Sequence, residues 1–507
     1  MATTLTDEKC HSETIPTPSA SQDVENNALS SCDAPQPSSS LCKLSAQLVS
    51  PDDPYQPRTW TERRKTSMAI LVSFSQLVAL MSASVIAPAL SQIAQDVGLT
   101  TSAAQVAFSV YLLGLGLGPF LIAACSETFG RRPVWIFSHL FYILWNSLCP
   151  VGNSSVLMIT GRLMSGFGAS VGISLSAPIV ADMYGPEKRG RSLAVATFAP
   201  YFGPAVGPII GGLMTQHISW HWSFWLLSIF DAAVVLLGFC FLRETYAPVL
   251  QRRAAHLLKT SSDVGNGALT TTDTNLLDRF LKSLARPVLL LYRRPVIQLL
   301  SLLLGLNFGI YTIILSTFAA LWIEKYQEST TISSLHYIAI AIGCTVSSQG
   351  GGHLTDFVWR RLKRRAGGHF NPEYRVPIML PGLVLMPIGL IWYGWSAEHR
   401  LSWIMVDIAV VIFTLGSFLW AQAMLAYLLD EFVQYAASAN AASRMFVYLL
   451  GFAFPIFAPD LYEKLGYGWG NTLLALIIIG LGWISPILLW KFGARLRAAG
   501  RREGEVD

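Results

Sequence analysis

Two stretches of this 507-residue chain carry charge at the same spacing. Glu127 is followed at plus four and plus five by Arg131 and Arg132, with Gly130 just before them, and Asp356 is followed at the same offsets by Arg360 and Arg361. An acid at a helix end with basic groups one turn on can pair with a neighbouring element in one conformation and stand solvated in another. Each triplet therefore suits a conformational latch, and a pair contributing about 0.5 to 2 kcal/mol shifts a near-balanced two-state equilibrium. The neighbouring Arg364 and Arg365 need no such role, because retention of positive charge on one side of a membrane explains them.

Two more ionisable residues stand inside apolar segments. Arg162 lies about a third of the way into one, where a charge costs at least about 2.5 kcal/mol. An arginine does not release its proton at cellular pH, so its role is electrostatic, biasing a nearby acid or ordering water, or else it clamps backbone carbonyls. Asp231 sits mid-segment, where burial favours the neutral carboxyl and allows proton cycling; the alternative is a helix-packing contact. Asp182, Glu244 and Asp407 fall at segment ends, where charge is cheap, and give weak signals. The nine histidines and seven cysteines are scattered without metal-ligand spacing, which argues against a metal site and against a membrane-embedded enzyme.

The elements that must hold these residues are membrane helices. The chain is 52% hydrophobic and 13% charged, with mean hydropathy +0.46, far from soluble averages. Its net charge of +5 is spread over alternate loops and forms no patch for nucleic acid. Apolar windows of roughly twenty residues, enough to cross the hydrocarbon core, recur near 67–90, 104–125, 134–152, 155–181, 192–215, 222–243, 296–322, 334–354, 376–396, 403–428, 440–461 and 471–490. The expected fold is an all-α membrane protein of twelve transmembrane helices in two six-helix bundles, at 66–243 and 296–491. A polar linker, 244–295, joins them; a disordered tail, 1–65, precedes them and a short tail, 492–507, follows. Lys and Arg concentrate in alternate loops, which predicts that both termini are cytoplasmic. Asn153-Ser154-Ser155 is a glycosylation sequon on the opposite side, in a very short loop. The extreme N-terminus lacks the pattern of a cleaved signal peptide. The triplets after the second and eighth windows occupy equivalent places in a six-plus-six duplication.

The fifth window contains Gly203, Pro204, Gly207, Pro208, Gly211 and Gly212. Proline and glycine at this density break a soluble helix, but in a membrane they give a bent span that neighbours approach closely. The run resembles the antiporter signature of the major facilitator superfamily. The two charged loops resemble its Gly-x-x-x-Asp-x-x-Gly-Arg-Arg signature in part: Glu127 replaces the aspartate in the first, and Val358-Trp359 replaces the second glycine in the next. Arg162 with Gly166 resembles its fourth-span Arg-x-x-x-Gly motif. Trp220 to Trp225, Glu244 to Leu250 and Gly466 to Asn471 look like fungal members of the twelve-span drug:proton antiporter family.

That resemblance implies the major facilitator fold and an exporter of drugs, toxins or fungal metabolites, exchanging solute for protons by alternating access. It implies a monomer in the cell membrane that uses a proton gradient and no organic cofactor, and no ATP-cradling loop occurs. The lining helices it implies make Gln76, Ser82, Asn307, Tyr311 and Gln422 the candidates for the solute pathway, and its fourth-span motif makes Arg162 a candidate for proton coupling. Asp231 is the other coupling candidate by its mid-segment position, although the sixth span is peripheral in that fold, which favours its packing role. Competing readings are a proton symporter importing a nutrient and a transporter-like receptor signalling through the long tail.

Overall fold

A computed structural model describes residues 57–184, 199–250, 289, 291–365, 372–432 and 436–501. The expected N-terminal tail up to residue 56, the linker over 251–288, the C-terminal tail beyond 501 and the side chain of Asp356 lie outside the described residues. Among these residues every regular element is helical and none is a strand.

The first expected span is α1 (Glu62–Ser84), which gives way to a turn of 3-10 helix at Ala87–Ala89, where Pro88 supplies no backbone donor, and then to α2 (Leu90–Val97). Gly98 ends α2 in the left-handed conformation at φ +70°. Next come α3 (Thr101–Phe129), whose first turn is capped by the Thr100 hydroxyl, α4 (Arg131–Leu148) and α5 (Ser155–Met183), capped by Ser154. The first half closes with α6 (Gly203–His217) and α7 (His221–Phe241).

The second half holds α8 (Pro295–Ala320), α9 (Thr330–Leu335), α10 (Tyr337–Arg365), α11 (Val376–Glu398), α12 (Trp403–Glu431), α13 (Ala436–Ile477) and α14 (Ile484–Arg501). Within α13 the backbone breaks at Gly466, φ +68°.

Nine segments are long and apolar enough to cross a membrane among the described residues. The shorter α4 and α6, and the two parts of Ala439–Gly493 on either side of Gly466, fall where the remaining expected spans lie. Leu, Ile, Phe and Trp side chains remain exposed along the outer faces of α7, α11 and α12, among them Leu236, Ile388 and Trp403. A surface this apolar matches lipid as its solvent.

Helices α1–α7 pack chiefly on one another, as do α8–α14. The two sets meet where α3 runs against α13 and where α6 runs against α9 and α10.

Candidate functional site: a cavity between two helix sets

Where the two sets face each other they enclose a cavity of about 320 Å³. Its wall takes Gln76 and Leu80 from α1, Leu112 from α3, Ile173 from α5, Tyr201 and Pro204 from the start of the fifth span, and Asn307, Phe308 and Tyr311 from α8. From the rest of the second set come Phe418 and Gln422 of α12 and Asn440, Arg444 and Tyr448 of α13. Most of this surface is apolar or aromatic, with a few amides and hydroxyls, the composition of a small-molecule pocket.

Four of the five expected pathway residues, Gln76, Asn307, Tyr311 and Gln422, share this one wall. Asn307 is held to α12 by a reciprocal pair: its Nδ2 donates to the Ser417 carbonyl at 3.1 Å and the Ser417 hydroxyl donates to its Oδ1 at 2.8 Å. The Tyr311 hydroxyl is buried beside the Cys344 thiol, and the side-chain Oδ1 of Asn440 is buried with no hydrogen-bond partner. Tyr201, Asn440, Arg444 and Tyr448 were not among the expected pathway residues. Arg444 carried a legible signal, since it stands in the eleventh apolar window as Arg162 stands in the fourth.

Ser82, the fifth expected pathway residue, faces away from the cavity and is completely buried against Arg162. Arg162 Nη1 donates to the Ser82 carbonyl at 2.8 Å, its Nε and Nη2 reach the carbonyls of Ala107 and Phe108 at 3.4 Å, and its guanidinium lies 4.4 Å from the Tyr111 ring centroid. These contacts join α1, α3 and α5 through backbone oxygens, so the geometry is that of the carbonyl clamp. No carboxylate touches Arg162 among the described residues.

Asp231 has a partner the sequence did not indicate. Its carboxylate lies 2.8 and 3.0 Å from His139 Nδ1, and His139 Nε2 lies 2.7 Å from the Ser75 hydroxyl. A histidine protonated at Nδ1 donates to Asp231 and accepts from Ser75 through Nε2. All three are buried, the Trp135 ring packs on His139 at 4.2 Å, and the chain links α7, α4 and α1. Ser75 is the immediate neighbour of the wall residue Gln76.

In this conformation the first charged loop makes its contacts inside its own half. Arg131 Nε lies 3.5 Å from Asp182 Oδ2 at the end of α5, its Nη1 donates to the Ser126 hydroxyl at 2.7 Å, and its guanidinium rests on the Tyr246 ring. Glu244, after α7, accepts from the backbone N–H groups of Arg131 at 2.8 Å and Arg132 at 3.2 Å, so it caps the start of α4. Gly130 turns at φ +102°, and a side chain there would collide with that carboxylate. The acids that hold Arg131 and the start of α4 are the end-of-span Asp182 and Glu244, and Glu127 is exposed. Of the second triplet, Arg360 and Arg361 are exposed on α10. The residue holding Arg131's place in the second half is Arg375, whose Nε lies 2.9 Å from Asp430 Oδ2.

The glycines of α6 form a continuous contact strip. A methyl group on Gly203 would lie 2.6 Å from Leu80 Cβ and one on Gly207 2.6 Å from the Met81 carbonyl oxygen, while one on Gly211 would strike the Val85 carbonyl. Only a bare backbone fits this close against α1. Gly212 faces the second half, where a methyl would lie 2.8 Å from the Thr330 carbonyl oxygen, and the backbone N–H of Thr331 donates to Gln216 at 2.7 Å. Pro204 lines the cavity and Pro208 is buried within α6.

Asn153, the sequon residue, is exposed in a 3-10 turn, and its Oδ1 lies 2.9 Å from His221 Nε2. A second cavity of about 580 Å³ opens at the end of the helices away from the basic loops, with Glu324, Glu463, Tyr462 and Tyr467 in its wall. No group of three or more His, Cys, Asp or Glu side chains is placed to hold a metal among the described residues.

The family model described as Major Facilitator Superfamily matches residues 72–455. An uncharacterized transporter of Schizosaccharomyces pombe is 36% identical over 455 residues, covering 89% of this chain and 92% of that protein. The probable efflux pump mfs2 of Aspergillus flavus is 37% identical over 415 residues, covering 81% and 98%. The efflux pump vrtL of Penicillium aethiopicum is 35% identical, covering 88% and 89%. Among solved structures, the inward-open xylose transporter XylE of E. coli aligns with a TM-score of 0.61 at 15% identity, over 84% of this chain and 96% of that one; the likeness is one of fold.

Proposed function

The chain belongs to the major facilitator superfamily and is a multi-pass membrane transporter of small molecules; from that premise we propose that it exports a small organic solute from the cytosol in exchange for protons. The observation that carries this reading is the fit between the central cavity, walled by both helix sets, and the bare glycine face of α6, which contacts α1 on one side and α9 on the other. A superfamily carrier exposes such a cavity to one side at a time as one set rocks against the other. The efflux pumps among its relatives support the outward direction.

For the proton site we propose the Ser75–His139–Asp231 chain. It holds the carboxyl and imidazole that cycle, and it ends one residue from the cavity wall. Arg162 then serves as the fixed clamp that keeps α1 in place beside it. The proton gradient is the only energy source required: about 100 mV supplies roughly 2.3 kcal/mol per charge and one pH unit about 1.4 kcal/mol more. We place both termini in the cytosol on the strength of the basic loops, and the protein in the cell membrane as a monomer on the family resemblance.

The test is reconstitution into liposomes that enclose a pH-sensitive dye. A panel of small apolar solutes, each applied as a gradient, should drive proton movement in the opposite direction for at least one member, and a protonophore should abolish solute accumulation. Solute movement unaffected by any imposed pH difference would rule out exchange.

A further inference from the structure

Arg444 is the only charged side chain among the described residues that line the central cavity. No acid stands among the described residues of that wall: the remaining polar groups are amides, hydroxyls and one thiol, and all other contributors are apolar. A guanidinium keeps its charge at every physiological pH, and a charge facing an apolar chamber at membrane depth is costly unless something of opposite sign enters with it. Arg162 and Arg375 have their electrostatic needs met by carbonyl oxygens and by Asp430. The described residues of the wall around Arg444 offer no such counter-charge.

A second observation points to a ligand. The Tyr311 hydroxyl is 96% buried by residue and lines the same cavity, where the polar group recorded beside it is the Cys344 thiol, a weak hydrogen-bonding partner. A bound oxygen acceptor is a stronger partner for that buried donor. The body of the chamber is aromatic, with the Phe308 and Tyr448 rings 5.4 Å apart and the Tyr311 and Phe418 rings likewise. The cavity at the other end of the molecule has the opposite sign, with Glu324 and Glu463 and no cation in its wall.

We propose that the central cavity takes a monoanionic, largely apolar solute, a carboxylate on an aromatic or aliphatic body, with Arg444 as its counter-charge and Tyr311 as a second donor. This rests on the reading of the cavity as the solute site. Exchange of such an anion outward for a proton inward moves two charges in the same electrical sense. An inside-negative potential therefore drives both halves of the cycle.

The experiment uses the full chain in nanodiscs and matched probe pairs that differ only in charge: 2-naphthoate with 2-naphthamide, benzoate with benzamide, decanoate with decanamide. Equilibrium dialysis should find at least one carboxylate bound about tenfold more tightly than its amide, the margin expected of a charge-assisted contact. Arg444→Gln should reduce that margin to within about twofold, and Arg444→Lys should retain most of it. No carboxylate preferred over its amide, or a preference that survives in R444Q, overturns the proposal. The wild-type comparison needs no variant, so a misfolded R444Q leaves the test standing. In liposomes, a carboxylate bound through Arg444 but unmoved by an acid gradient removes the exchange reading and keeps the anion site. Carboxylate and amide exchanged equally well for protons removes the anion site and keeps the exchange.

Discussion

Arg131, the first residue of α4, meets Asp182, the penultimate residue of α5, with Nε 3.5 Å from Oδ2. The same relation recurs in the other half, where Arg375, at the start of α11, meets Asp430, the penultimate residue of α12, at 2.9 Å. Spans three and four thus correspond to spans nine and ten in the clasp at their shared end. Beside the repeat within the loops, where Asp356 and Arg360 mirror Glu127 and Arg131, the two halves share this pair between the end of one helix and the start of another.

Both clasps are partly exposed, so each contributes modestly. A double-mutant cycle on Arg375→Gln and Asp430→Asn, read by thermal unfolding in detergent, should give a coupling energy of about 1 kcal/mol. Additive effects would show that the pair makes no energetic contact.

Gly207→Ala and Gly211→Ala press a methyl group onto the Met81 and Val85 backbone, and carbonyl oxygens do not yield as side chains do. Overpacking of about 1–3 kcal/mol is expected, with solute flux reduced at least tenfold while membrane insertion persists. Gly350→Ala and Gly352→Ala in α10 meet nothing within 4 Å and should leave flux unchanged. Equal behaviour of the two sets would remove the packing argument.

Arg162→Gln leaves the carbonyls of Ser82, Ala107 and Phe108 without their guanidinium. A clamp predicts lower thermal stability, by about 2 kcal/mol or more, and an unshifted pH profile for whatever flux remains. A displaced pH profile at unchanged stability would return Arg162 to the proton pathway.

Asp231→Asn and His139→Gln bear on the coupling site. Asp231→Asn should abolish accumulation driven by a pH gradient while sparing solute counterflow, which needs no net proton movement. Loss of both together, with normal folding, would mark the pair as a structural bond between α4 and α7. A control is Glu244→Gln, which weakens the cap on α4 and should lower stability by about 1 kcal/mol without altering proton dependence.

The hydropathy of the chain already specified an all-helical membrane protein, because the length and apolarity of a span are local properties read one window at a time. The spacing of Gly203, Gly207 and Gly211 likewise announced a close helix contact, since residues four apart share a face. What no window contains is the partner. His139 lies 92 residues from Asp231 and Arg375 lies 55 from Asp430, distances closed only when helices pack. Ser82 and Gln76 are six residues apart on one helix and so point to different faces, and packing decides that the first face meets Arg162 and the second the cavity. Arg444 was visible in the sequence as one basic residue in an apolar segment, but its place opposite α1 and α8, with no acid in the shared wall, exists only once both helix sets have closed around it. Charge pairing and cavity walls are relations between surfaces, and those surfaces are formed by tertiary packing.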